Sequence, residues 1–460
     1  MRRHRLFLGD ERKVGSIPLA VLFAAALVER GYALRLFVAG IDETTVRMLQ
    51  LLCRQPVTVL DPYLAGGDDV MRAIFQCASS DGALNLIIGP LLAKGSNEET
   101  VTVDRGSLRV LKALETPVMP ILYADMSAVL AARRCEQVFS QISEGAPQSR
   151  QMGVCFASVL NPREYQLLEI ELGRRIPLIS MGFLPSHVHR DIPGEDVLFT
   201  ADSHSMKITS LRSAVVQVRH MEDQIIWPLV EAMGQMAPEW PEAPFPCEPL
   251  DKPCQVGVVR HPALSVGGDG ALHLFRSLGA QIVEFLPDSE MPPDLGALWV
   301  PHGRALWAAD QMVDDPRFRK GLGRIAMQNK PFLVEGESSA LLGEHLTVEA
   351  PSSSRRGICL VSCQGRFGKT VGYDEERRVE LEGLVTGPLM RSGERCRGYW
   401  PRHFSLTSPA SQRAEWAVMD AKDRGQIATD GWSLKRGVIS QMRLELWSCI
   451  DGVRRWLSGA

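Results

Sequence analysis

From its start to residue 235 the chain switches between short continuous apolar runs and longer segments with apolar residues every three or four positions. RLFLG, ALRLFVAG, ALNLIIGP, TPVMPILYAD, MGVCFASVL and IPLISMGFLP have the length and β-branched content of buried strands. Segments such as PLAVLFAAALVERG, closed by Gly31, read as helices. Strands apolar on both faces and separated by helices indicate a parallel sheet covered on both sides. Met236–Pro253 then carries six prolines in 18 residues. Proline removes a backbone donor and fixes φ, so this stretch continues neither a helix nor a central strand and reads as a linker. Beyond it CQVGVV, AQIVEFLP, GALWVP and KPFLVEG are again strands, with helices such as GALHLFRSLG between them. The pattern predicts two doubly wound α/β domains, residues 1–235 and 254–460, joined by a linker over 236–253.

Composition adds exclusions. Of 460 residues, 45% are hydrophobic and 23% charged, ordinary values for a globular chain, and the length calls for more than one core. A net charge of −3 gives no support for a nucleic-acid surface. Ten cysteines are scattered without a C-x-x-C pair, and no metal-ligand spacing emerges, so packed, reduced thiols and a cytoplasmic setting are expected. MRRHR followed by IPLAVLFAAALV imitates a secretion signal, but GDERKVGS places four charges between the two parts, and no run has the length of a membrane span.

The first strand–turn–helix, RLFLGDERKVGSIPLAVLFAAAL, is where a nucleotide-binding domain of this class carries its phosphate loop. Gly9 and Gly15 stand at plausible ends of such a loop, but Ser16 holds the place of the phosphate-binding lysine and Ile17 that of the Mg²⁺-binding hydroxyl. Asp10 and Glu11 put negative charge where a polyphosphate would sit, and Lys13 lies on the wrong side of Gly15. CQGRFGKT (Cys363–Thr370) ends like a phosphate loop but lacks its first glycine and precedes VGYDEE rather than an apolar helix.

VERGYALRLFVAGIDETTVRMLQLLCRQPVTVLDPYLAG, GSLRVLKALETPVMPILYAD, GVCFASVLNPREYQLLE, GALHLFRSLGAQIVEFLP and KPFLVEGESSALLGEHL, in that order, resemble segments of the cobyrinate a,c-diamide synthases. The resemblance implies a dethiobiotin-synthetase-like, P-loop NTPase-like domain that activates a tetrapyrrole carboxylate with ATP and Mg²⁺. A class I glutamine amidotransferase-like domain follows, in which a Cys–His pair releases ammonia. It also implies a homodimer, or a heterodimer with an active paralogue.

Carried over position by position, the family's functional residues are missing. Its phosphate-loop Lys and Thr fall on Ser16 and Ile17, its next lysine on Val38, its acidic metal-side residue on Ile88 and its adenine-side Asn on Ala157, while Asp42 is kept. The nucleophilic cysteine falls on Gly336, after a family-like Glu335. A glycine of the oxyanion strand end falls on His302, and the catalytic histidine on Arg443. Arginine stays charged at neutral pH and cannot act as the base.

Three readings follow. The first is a pseudoenzyme that keeps the fold without catalysis and binds a tetrapyrrole or a partner protein, with ATP and Mg²⁺ expected only for the second. The second is an active ATP-dependent amidase with relocated groups. The third is a serine hydrolase in which GESSA (Gly336–Ala340) is a shifted nucleophile elbow, with Ser338 as nucleophile and His403 as base. The plain alternative for Ser338 is a helix N-cap, since ALLGEHL reads as the start of a helix. His187 and His189 have metal-like spacing but read as loop histidines, and Trp432, Trp447 and Trp456 read as core.

Overall fold

The structure, a computed structural model, describes residues 3–96, 101–149, 151, 153–200, 206–240, 245–264, 266–349, 352–407 and 413–459. Residues 241–244 of the proline-rich linker lie outside them. The chain forms two compact units. The first comprises Met1–Pro62, Ala78–Leu198 and Asp202–Pro244, and the second comprises Tyr63–Cys77, Phe199–Ala201 and Phe245–Ala460.

The first unit is built on seven strands: β1 (Arg5–Asp10), β2 (Leu34–Ala39), β3 (Val57–Leu60), β4 (Leu84–Pro90), β5 (Val118–Tyr123), β6 (Gly153–Val159) and β7 (Ile179–Pro185). They pair in parallel in the order β3-β2-β4-β1-β5-β6-β7. Every residue of β1, β5 and β6 is buried, which is why these strands read as unbroken apolar runs. Helix α1 (Leu19–Glu29) is buried from Leu19 through Leu27, and α2 (Glu43–Cys53) follows β2 with Asp42 as its N-cap. Strand β1 lies between β4 and β5, so the carboxyl end of β1 opens onto the crevice where open α/β sheets bind ligands. Part of the linker is anchored here. The buried Arg5 guanidinium donates to the carbonyls of Leu114 and Pro238 and lies over the Trp240 ring at 3.9 Å.

The second unit carries a six-stranded sheet, β20-β21-β11-β10-β8-β9, from β8 (Gln255–Val259), β9 (Gln281–Phe285), β10 (Ala297–Val300), β11 (Phe332–Glu335), β20 (Trp432–Leu434) and β21 (Gly437–Ser440). All pairs are parallel except β20 with β21. Two smaller sheets complete it. One is the four-stranded β13-β12-β14-β17, from β12 (His345–Val348), β13 (Ser353–Arg356), β14 (Gln364–Phe367) and β17 (Phe404–Leu406). The other is the antiparallel β19-β18-β15-β16-β22, from β15 (Arg377–Gly383), β16 (Arg395–Trp400), β18 (Trp416–Asp420), β19 (Gln426–Asp430) and β22 (Arg443–Glu445). The helix expected over ALLGEHL is not formed. A 3₁₀ turn (Gly336–Leu342) follows β11, the chain breaks at Gly343, and β12 begins at His345. Thr347 and Val348 favour the strand, and Gly343 ends the turn. Trp432, Trp447 and Trp456 are fully buried, as core residues.

Candidate functional site

In the first unit the loop from Asp10 to Pro18 sits where a phosphate loop would, and its charges are bound to the protein itself. The Asp10 carboxylate is buried at the N-terminus of α1, accepting the Ala20 N–H at 3.2 Å and Arg12 Nε at 3.3 Å. Unpaired amides and dipole make such a helix start an anion site, and here a side-chain carboxylate fills it. Burial pushes the Asp10 carboxyl above its ordinary pKa, and the Arg12 guanidinium pulls the other way. Arg12 also bonds Asp42, whose carboxylate accepts the Thr45 N–H at 2.9 Å and the Thr45 hydroxyl at 2.7 Å. Burial opposes the charge on Asp42, but Arg12 and these bonds hold its pKa below the ordinary value. The retained Asp42 is therefore a helix cap in an Asp10–Arg12–Asp42 chain.

The rest of the loop is occupied in the same way. Glu11 accepts Arg134 Nη2 at 2.5 Å and the Tyr123 N–H at 3.2 Å. Lys13 pairs with Asp125 at 2.5 Å and lies 4.0 Å from the Tyr123 ring centre. Gly15 has φ +77° and accepts the Ile192 N–H at 2.9 Å; Ser16 bridges to Asp191, and Ile17 N–H donates to the Arg190 carbonyl at 3.0 Å. Gly15 and Ser16 thus hold the segment 190–192 across the loop. Val38, Ile88 and Ala157 are fully buried strand residues with no polar group to offer.

In the second unit β11 ends at Glu335, and Gly336 turns the chain with φ +62°, the left-handed conformation of a nucleophile elbow. The elbow is shaped but filled. A β-carbon on Gly336 would fall against His302 Nδ1, 2.6 Å from its Cγ and 2.9 Å from its Cβ. His302 is 1% exposed, and its Nδ1 accepts the Glu337 N–H at 3.2 Å. In an elbow, the amide of the residue after the nucleophile serves the oxyanion. Here the imidazole takes both the space of the nucleophile and that donor. Glu337 forms a buried ion pair with Arg304 at 2.6 Å and accepts the Ala305 N–H at 3.3 Å. Glu335 accepts Trp299 Nε1 at 3.0 Å and the Leu444 N–H at 2.7 Å, tying β10, β11 and β22 together behind the elbow.

Arg443, expected from the resemblance at the place of the base, is buried. Its Nη1 pairs with Glu445 at 2.6 Å and its Nη2 donates to the Gly267 carbonyl at 3.1 Å. Burial works against the charge, but Glu445, Tyr399 and Glu335 together offset it and raise the guanidinium pKa. No proton is available for transfer near neutral pH.

Ser338 is neither a cap nor poised as a nucleophile. It lies inside the 3₁₀ turn, 0% exposed, and its hydroxyl donates to the Pro301 carbonyl at 2.7 Å. His189 is held by Ser158 Oγ at 2.8 Å from Nε2 and stacks on Tyr123, while His187 sits in a 3₁₀ turn. Gln364–Phe367 of the second phosphate-loop-like stretch is strand β14, and Thr370 bonds Glu349. Among the described residues no group of three His, Cys, Asp or Glu is placed to hold a metal ion, and no helix is long and apolar enough to cross a membrane.

Arg12 as the hub of the loop, His302 as the filler of the elbow and Glu445 as the partner of Arg443 emerge from the fold. Arg443-x-Glu445 on one strand was a usable signal, since alternate strand residues share a face. His302 had no local one, because it meets Gly336 only through the pairing of β10 with β11.

No family model matches the chain. It is similar along nearly its whole length to curated cobyrinate-type synthases. It is 19% identical over 476 residues to cobyrinate a,c-diamide synthase of Caldanaerobacter subterraneus subsp. tengcongensis, covering 99% of this chain and 98% of that one. It is 22% identical over 424 residues to hydrogenobyrinate a,c-diamide synthase of Mycobacterium bovis, covering 87% and 86%. Among solved structures, PurLQS from Thermotoga maritima aligns with a TM-score of 0.34 and 14% identity over 46% of this chain and 98% of that one.

Proposed function

We propose that this chain, cobyrinate a,c-diamide synthase-like from end to end, is a non-catalytic relative of those synthases that acts as a binding, scaffold or regulatory protein in tetrapyrrole metabolism. The observation that carries the reading is His302. Its ring fills the volume a nucleophile at position 336 would need and accepts the amide that would serve the oxyanion. Absence of a cysteine alone would leave a domain able to use free ammonia. The first unit supports the broader loss, because a carboxylate already occupies the helix start where a phosphate would bind. Its ligand is a tetrapyrrole carboxylate or a partner protein, and it works as a homodimer or with an active paralogue.

Calorimetric titration with MgATP tests the reading first. No heat up to millimolar nucleotide is the expected result. Micromolar binding would return the chain to the ATP-dependent amidases, with groups relocated. A parallel absorption titration with cobyrinate tests the ligand: saturable binding without turnover supports a carrier or sensor, and no binding leaves the partner-protein role.

A further inference from the structure

The second unit holds two thiols in contact. Cys396, buried on β16, and Cys449, partly exposed just before the C-terminal helix Ile450–Ser458, have their sulfurs 3.2 Å apart. The backbone around them is fixed. Arg397, next to Cys396, donates its N–H to the hydroxyl of Ser448, next to Cys449, at 2.7 Å. Ser448 in turn donates to the Glu445 carbonyl at 2.6 Å, and Arg397 pairs with Glu445 in the β16–β22 ladder. Arg455 of the helix is ion-paired with Glu394, the residue just before β16. Flanking bonds on both sides hold the two segments together, and from 3.2 Å the sulfurs need to close by about 1.2 Å to form a disulfide.

We propose that Cys396 and Cys449 are an oxidisable pair that forms a reversible disulfide with small disulfide oxidants of the glutathione type, stapling the C-terminal helix to β16. This goes beyond the functional reading above and does not depend on it. In the chemistry, the thiolate of Cys449, the less buried residue of the two, attacks one sulfur of glutathione disulfide and one glutathione thiolate leaves. The Cys396 thiol, losing its proton to solvent, then attacks the Cys449 sulfur of the mixed disulfide and expels the second glutathione. Two protein thiols lose two electrons and two protons, and one glutathione disulfide becomes two glutathione molecules. The Cys396 contact and burial both raise the Cys449 thiol pKa above its ordinary value, so the pair is slow to oxidise at neutral pH and faster in alkali.

The test uses the full chain in graded glutathione redox buffers at pH 7 and pH 9, with remaining thiols alkylated and the protein digested for mass spectrometry. The expected product is one crosslinked peptide pair joining Cys396 to Cys449, formed faster at pH 9, reversed by dithiothreitol and accompanied by a thermal midpoint roughly 5 °C or more higher. Cys449→Ser, at the partly exposed position, should abolish both the crosslink and the shift. Recovery of both cysteines alkylated, arrest at a glutathione adduct, or a crosslink through other thiols such as Cys359 or Cys247 would each overturn the proposal. Because the wild-type peptide map decides the matter alone, a variant that folds poorly does not rescue it.

Discussion

His302 and Gly336 compete for one volume. The imidazole stands where a side chain on residue 336 would point, and its Nδ1 accepts the next amide. Gly336→Cys therefore meets a buried ring at a left-handed backbone position, and we expect a loss of about 2–4 kcal/mol in urea unfolding. Adding His302→Gly should recover part of that loss, because the two residues are in contact and their effects are coupled. Glutamine hydrolysis by Gly336→Cys alone would show that a base other than Arg443 serves the elbow.

Arg443 and Glu445 are both buried, so removing one leaves the other charge without its partner. Arg443→Leu should cost about 3–5 kcal/mol, and Arg443→Leu with Glu445→Leu markedly less. A denaturant double-mutant cycle measures the coupling. Additive losses would mean that the pair contributes nothing as a pair.

Ser338 gives its hydroxyl proton to the Pro301 carbonyl inside a sealed turn. A fluorophosphonate probe should leave it unlabelled, and Ser338→Ala should cost about 1 kcal/mol, the ordinary worth of one buried hydrogen bond. Stoichiometric labelling at Ser338 would instead support the hydrolase reading.

The two α/β sheets were legible because their strands are apolar on both faces: FLVE and ALWV admit few other readings. The antiparallel strands after Leu342 were not. Ser353–Arg356 is SSRR, with no apolar residue, and forms a strand only because His345–Val348 offers it an edge. The empty elbow was legible through the register of Glu335 and Gly336. What fills it was not, since that contact runs between residues 34 positions apart, brought together by sheet pairing. Charge in GDERKVGS pointed against polyphosphate binding, yet the pairing of Arg12 with both Asp10 and Asp42 requires the fold.

Asp430 supplies a pH signature. It is fully buried, accepting the Ser440 hydroxyl at 2.5 Å and the Gln441 N–H at 3.1 Å, and burial raises its pKa to about 6 despite these bonds. A carboxyl whose pKa is higher folded than unfolded binds protons preferentially in the native state. Its contribution to stability is therefore largest below its unfolded pKa, near 3.8, and declines as pH rises to about 6. Asp430→Asn should remove that decline, so the stability difference between wild type and variant should change between pH 4 and pH 6 and level off above. A constant difference across that range would place the Asp430 pKa at its ordinary value.

The left-handed turn at Gly336 also constrains how the elbow could acquire a thiol. Glycine adopts φ +62° without strain, whereas cysteine there carries strain of about 1–3 kcal/mol before any clash is counted. Introducing the thiol first drives it into the His302 ring, and clearing the ring first opens a cavity in a packed core. Either order passes through a less stable protein, so a thiol at position 336 is reached at lower cost by changing residues 302 and 336 together than one at a time.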